Sequence, residues 1–218
     1  MVRKSSRSKR IMRRLAASVV AVVALSSVAG ASASAATWQP PGTAFNGAGT
    51  LLETVGTHHY VSSFTLNEGE GIAIKCEEAS LTGTTRNPVS AEVKVSPKYG
   101  RCTSNIAGTL VPATVTTPGE WALTSQALSG ASYTASLSTV QATIKVPALG
   151  ACTLSIPQQA VKVSGTNDLG SPPVGTTINP TSAAAIDFAY AASGCPGVTN
   201  GKLKYRGAVH VPTVYVGP

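Results

Sequence analysis

Beyond its first 36 residues, the chain alternates apolar and polar positions with a period of two. Tyr60, Ser62, Phe64 and Leu66 stand against Val61, Ser63 and Thr65, and this segment ends at the turn signal "NEGEG". Ile72, Ile74 and Cys76 share one face of the next segment, and Ala91, Val93 and Val95 alternate with Ser90, Glu92 and Lys94. "VQATIKVP", "CTLSIP", "QAVKVSG" and "GKLKYRGAVHVPTVYVG" repeat the habit. Successive side chains of a strand point to opposite faces, so this period predicts strands with one face buried. Proline and glycine separate nearly all of the segments, as in a sandwich or barrel of short antiparallel strands.

Two places depart from the pattern. In "PTSAAAIDFAYAAS", residues 180–193, Ile186 and Tyr190 are spaced for one helical face, while Ile186, Phe188 and Tyr190 also alternate with Asp187 and Ala189. The β-rich neighbourhood, and the bracketing of Cys195 by Gly194 and Pro196, favour a strand. In "GIAIKCEEASLTG", Ile72, Ile74 and Cys76 lie on one face but Ala79 and Leu81 fall on the other, so the alternation breaks at Glu77-Glu78. Adjacent strand residues face apart, which predicts that these two carboxylates diverge unless a bulge brings them together. An internal echo, "KVSPKYGRCT" and "KVPALGACT", reads either as a pair of related strand-turn-strand corners or as chance in a chain rich in Pro and Gly.

Composition agrees with the pattern, since Thr, Val, Ser, Ala and Gly dominate and β-branched residues pack well on pleated surfaces. The fold class expected is all-β, an antiparallel sandwich or barrel-like domain. It is either one domain over 37–218 or two packed halves, about 37–125 and 126–218.

The first 36 residues carry a different signal. A basic run with Arg3, Lys4, Arg7, Lys9, Arg10, Arg13 and Arg14 precedes the apolar stretch from Leu15 to Ala31, and "SASAA" follows. That order is a secretory signal peptide over 1–36, with cleavage expected after Ala36. An uncleaved anchor is the alternative, but the apolar run is short of the ~20 residues that span a bilayer and is diluted with Ser and Gly. Arg13-Arg14 also allows the twin-arginine route in place of general secretion. Localisation is therefore expected to be extracellular, with no membrane span in the mature chain.

Removing the leader changes the charge. It takes seven of the 17 Lys and Arg residues and none of the nine Asp and Glu, leaving ten basic against nine acidic side chains. A nucleic-acid reader concentrates basic residues on one face. The one local cluster left, Lys202, Lys204 and Arg206, reads as the solvated face of a strand, so no nucleic-acid partner is expected.

The four cysteines, Cys76, Cys102, Cys152 and Cys195, are an even number in an exported chain and read as two disulfides. No two are spaced as a CxxC redox pair or zinc site. Of the three possible pairings, Cys76 with Cys102 and Cys152 with Cys195 is preferred because it puts one crosslink in each half.

The elements "KCEEASLTGT", "GRCT", "TPGEWALT", "GACTLSIP" and "SGCPGVTNGKLKYRGAVHV" resemble the ordered landmarks of a group of small secreted β-rich actinobacterial proteins of uncharacterised function. The chain departs from that group at Glu77-Glu78, where Ser or Thr usually follows the first cysteine. The resemblance implies export, β structure and cysteine pairing in sequence order. It carries over no catalytic residue.

Candidate chemistry is sparse. Paired carboxylates perform glycoside hydrolysis when about 5 to 9.5 Å separates them across a sugar, which makes Glu77 and Glu78 candidates. His58 and His59, with Glu53 nearby, offer an adventitious zinc site, though polar surface explains them as well. His210 sits between Val209 and Val211 in a strand pattern. Serines, Asp168 and Asp187 allow a Ser-His-Asp triad, but no G-x-S-x-G elbow marks one. Trp121 is a candidate for stacking on a ligand or for the core, and Trp38 for packing down the mature N-terminus or lying in a tail. The expectation is a secreted, non-catalytic protein without cofactor or metal. Its role is structural or binding, toward an unknown envelope or extracellular ligand. A secreted hydrolase of polysaccharide or peptide is the alternative.

Overall fold

The computed structural model describes residues 36–66, 72–106, 108–179 and 185–218. Its strands are β1 (Thr37–Gln39), β2 (Ala44–Gly49), β3 (Glu53–Val55), β4 (His58–Tyr60), β5 (Ser62–Leu66), β6 (Ala73–Thr84), β7 (Glu92–Ser104), β8 (Val111–Thr116), β9 (Trp121–Ser129), β10 (Ser132–Lys145), β11 (Thr153–Asn167), β12 (Thr176–Ile178), β13 (Ile186–Ser193), β14 (Gly201–Gly207), β15 (Val209–Val211) and β16 (Tyr215–Gly217). A single 3-10 turn, Pro147–Leu149, is the one helical element among the described residues. The all-β antiparallel expectation is met. The segment that carried two periods is a strand over Ile186–Ser193, with Phe188 and Tyr190 buried and Asp187 and Ala189 exposed. Residues 180–184 of it lie outside the described ones.

Twelve strands form one sheet, and its pairings close it into two rings of eight. The first ring runs β5-β6-β7-β8-β10-β11-β13-β14 and back to β5. The second runs β2-β6-β7-β9-β10-β11-β12-β15 and back to β2. The long strands β6, β7, β10 and β11 belong to both, one end of each strand in either ring. Closure pairs every ring strand on both sides, which removes the exposed sheet edges that invite aggregation.

One hydrophobic core fills both rings. The first is packed by Phe64, Leu66, Ile74, Ile144, Leu154 and Leu203, and the second by Phe45, Val93, Val95, Leu123, Tyr133 and Val211. A shared core requires each long strand to keep presenting apolar side chains inward, yet in all four the buried positions change parity midway. On β6 the inward residues are Ile74 and Cys76, then Leu81. On β7 they are Val93, Val95 and Pro97, then Cys102 and Ser104. On β10 they are Tyr133 and Ala135, then Val140, Ala142 and Ile144; on β11, Leu154 and Ile156, then Val163 and Gly165. The backbone shows how the reversal is made on two of them, because Arg101 and Thr139 adopt φ of +49° and +58° at the switch. Side chains other than glycine rarely enter this region, so each marks a local re-aiming of the strand. Between β10 and β11 the reversal coincides with register shifts around Val140.

The small sheet of β1 and β16 packs against the second ring. Trp38 of β1 is fully buried, edge-on to Phe45 and Tyr133 at 5.5 and 5.7 Å, and its Nε1–H donates to the Leu123 carbonyl at 3.3 Å. Asn167 at the end of β11 bonds both the carbonyl and the amide of Val216, at 2.7 and 2.9 Å. Trp38 thus packs the first described strand onto the core of the second ring.

Both disulfides form as paired in the sequence reading, Cys76 with Cys102 and Cys152 with Cys195. Cys76 and Cys102 face each other directly across β6 and β7. The second bridge ties the residue before β11 to a residue just after β13, where Thr153 pairs Ser193. Each bridge stays within one half of the chain, and both lie in the first ring, because ring membership follows strand pairing and not chain halves. Nor does the internal echo mark two alike corners. "KVSPKYGRCT" lies within the single strand β7, whereas "KVPALGACT" turns through Pro147–Leu149 between β10 and β11.

Candidate functional site

Glu77 and Glu78 stand where β6 reverses its alternation. In the first ring the odd residues of β6 face outward, and in the second the even ones do, so the two consecutive glutamates both lie on the outer side. The expectation that they diverge on a regular strand is therefore corrected. It is corrected without an inserted residue, because Cys76 pairs Cys102 and Glu78 pairs Gly100 in one continuous register. Only the facing pair Glu77 and Arg101 drops out of the ladder, and Arg101 is the residue with positive φ.

That geometry brings a guanidinium onto the carboxylates. Arg101 Nη2 pairs with Glu77 Oε2, and Arg101 Nη1 lies 3.9 Å from Glu78 Oε1. The other oxygen of Glu77, Oε1, meets His58 Nδ1 at 2.5 Å. Glu77 is thereby covered, with 9% of its side chain exposed, while Glu78 is 63% exposed. The hydrogen bond from His58, with Arg101 adding to it against the cost of desolvation, holds the Glu77 carboxyl below its ordinary range.

His58 belongs to the hairpin of β3 and β4, which lies over the outer face of the disulfide between β6 and β7. Three contacts to β6 and β7 and one stack within the hairpin hold it in place. Lys75 Nζ pairs with Glu53 Oε1 at 2.7 Å and sits 5.5 Å from the centre of the Tyr60 ring. The Tyr60 hydroxyl meets Thr103 Oγ1 at 3.3 Å, and the His58 ring stacks on Tyr60 at 5.8 Å. His59 turns the other way, to Thr54 Oγ1 at 3.2 Å. Glu53, His58 and Glu77 are thus engaged with different partners. Among the described residues, no group of three or more His, Cys, Asp or Glu is arranged to hold a metal ion.

The remaining candidates are scattered. Trp121 begins β9 and is buried at 6% exposure, lining an interior cavity of about 30 Å³ with Phe64, Tyr99, Phe188 and Tyr205. A ligand stacking from solvent does not reach that ring. His210 Nε2 meets Asp168 Oδ2 at 3.1 Å, far along the chain from Glu77, and no serine or threonine hydroxyl bonds to His210 among the described contacts. Asp187 stands opposite Lys204 on the outer face of β13 and β14, where Lys202 and Arg206 are exposed and Leu203 and Tyr205 point inward. The basic side chains share one face as their alternation predicted.

A shallow polar depression of about 410 Å³, lined by Thr82, Thr84, Arg86, Lys94, Ser96 and Glu120, lies on the outer side of the second ring. Sequence reasoning missed it, because its residues meet only when β7 pairs with β6 on one side and β9 on the other. No helix among the described residues is long and apolar enough to cross a membrane. Comparison of the chain with known protein families, with curated proteins and with solved structures finds no match.

Proposed function

We propose that this chain is an exported, disulfide-stapled β protein with a structural or binding role at the cell envelope or in the medium, and that it catalyses no reaction. The reading includes kinship with the small secreted β-rich proteins that its cysteine and turn landmarks resemble. The observation that carries it is the state of Glu77, the best candidate for chemistry. Each of its oxygens is taken by a different cation or donor, and the contacts dock a hairpin onto the barrel wall. A carboxylate used as a nucleophile or base needs a free oxygen facing substrate. Two disulfides in a chain with a leader-like N-terminus support export. The open polar depression and the exposed Glu78 are the surfaces offered to an extracellular ligand.

The test is to incubate the purified, oxidised protein with isolated envelope material, sediment it, and assay the supernatant for released sugars and peptides. The protein is expected to sediment with the material and to release nothing above a buffer control. Release of fragments that disappears in Glu77→Gln or Glu78→Gln supports the hydrolase instead.

A further inference from the structure

Two asparagines in the chain are followed by glycine, in Asn46-Gly47 and Asn200-Gly201. Such a pair is open to attack by the glycine backbone nitrogen on the side-chain amide carbon of the asparagine, because no Cβ stands in the way and glycine leaves the backbone free to turn. The attack requires the peptide to rotate out of the extended form of a strand. The fold treats the two pairs differently. Asn46 lies inside β2, opposite Thr82, with Gly47 opposite Leu81, and the next two residues are also paired on the other side, to His210 and Val209. Gly47 is wedged against β15, since a Cβ there would lie 2.5 Å from Val209 Cγ1 and 3.1 Å from Val211 Cγ2. Turning this peptide breaks ladder bonds and drives it into packed side chains. Asn200 is exposed and precedes β14, whose first residue, Gly201, is the last to pair with β13, opposite Tyr190. Its peptide is at the end of a ladder, where local opening costs least. The Asn200 side chain is also positioned, because Oδ1 accepts a hydrogen bond from the Ala192 amide at 2.8 Å. That N–H draws electron density from Cγ, the atom attacked, and meets the oxygen on which negative charge develops.

We propose that Asn200 is a site of spontaneous deamidation in the folded protein, and that β2 protects Asn46. The Gly201 nitrogen gives its proton to solvent base and bonds to Asn200 Cγ. The Cγ–Nδ2 bond breaks, ammonia leaves with a proton returned by solvent, and a cyclic imide joins the two residues. Water then opens either carbonyl of that ring, giving aspartate or isoaspartate. The net change is the gain of a water and the loss of an ammonia, with no oxidant or reductant. The aspartate form keeps the bond from Ala192, now to a charged acceptor. The segment just before stays anchored by Cys195 in its bridge and by the buried Val198, so the fold persists around the altered turn.

The test is to incubate the oxidised, folded protein at mildly alkaline pH, where the attacking nitrogen loses its proton more readily, and to follow the peptides that contain positions 46 and 200 by chromatography and mass spectrometry. The Asn200 peptide is expected to gain the small mass that exchange of an amide for a carboxyl brings, and to split into aspartate and isoaspartate products. It should do so several-fold faster than the Asn46 peptide. Gly201→Ala, checked for folding by its melting temperature, should slow the change at position 200 several-fold. Protein reduced and unfolded in denaturant should react at similar rates at the two positions. An unchanged Asn200 peptide, or equal rates at both positions in the folded protein, overturns the proposal. The same preference for Asn200 in the unfolded chain overturns it too, because the selection would then belong to the local sequence and not to the fold.

Discussion

Glu77 is a side chain whose sequence context invites a catalytic reading and whose surroundings give it mechanical work. It faces outward from β6, receives His58 from the hairpin on one oxygen and Arg101 from β7 on the other, and so joins three segments. Its carboxyl is held below the ordinary value of 4.5, first by the His58 hydrogen bond and then by the Arg101 charge. The unfolded chain therefore takes up this proton before the folded one does. The stabilisation is present above the ordinary glutamate range and is lost as pH falls through the lowered folded value. Thermal unfolding followed across acid pH should show a fall below pH 4.5 in the wild type that is smaller in Glu77→Gln. Parallel profiles would remove Glu77 from the docking of the hairpin.

Tyr99, Tyr133 and Tyr205 carry the opposite sign. Burial raises all three phenols above the ordinary value of 10.0, and at Tyr133 a hydrogen bond donated by the Thr176 hydroxyl only partly opposes it. The unfolded chain loses these protons first, so stability present below pH 10 declines as pH rises beyond it. An ultraviolet titration should show these phenols ionising together with alkaline unfolding. Ionisation of all tyrosines while the fold persists would contradict their burial.

At the level of elements, the strands were legible because a buried face imposes a period of two, and β13 was separated from a helix by its neighbours. The break at Glu77-Glu78 was legible too, but its meaning was not. A reversal of facing was read as a chance of a bulge, whereas the register of β6 against β7 is continuous and the reversal belongs to a strand shared by two rings. The partners of Glu77 were hidden for a related reason: His58 is 19 residues away, and only the docking of the hairpin brings it near. The cysteine pairing was read correctly, one bridge in each half of the chain, but that both lie in one ring follows only from the strand pairing.

The bridges close loops with sequence separations of 26 and 43 residues. On the loop-entropy account each contributes roughly 3 to 4 kcal/mol, by restricting the unfolded chain. Replacing Cys76 and Cys102 with alanine, or Cys152 and Cys195, should lower the stability measured by denaturant unfolding by about that amount in each case. A change under about 1 kcal/mol for either pair would show that the bridge restrains little beyond what the first ring already holds.

Across the whole described domain, closure into two rings around one core couples distant parts of the sequence. The early strands β2 and β5 are completed by β15 and β14 from near the C-terminus, and β1 is paired by β16. Two oxidised cysteine pairs are compatible with an extracellular protein, and the proposal of export leans on them. The most direct measurement is a non-reducing peptide map of the protein recovered from outside the cells that express the full chain. The account predicts peptides linked through Cys76 and Cys102 and through Cys152 and Cys195, with no free thiol. Protein found only inside the cells, a free Cys76, or a bridge from Cys76 to Cys152 would contradict it.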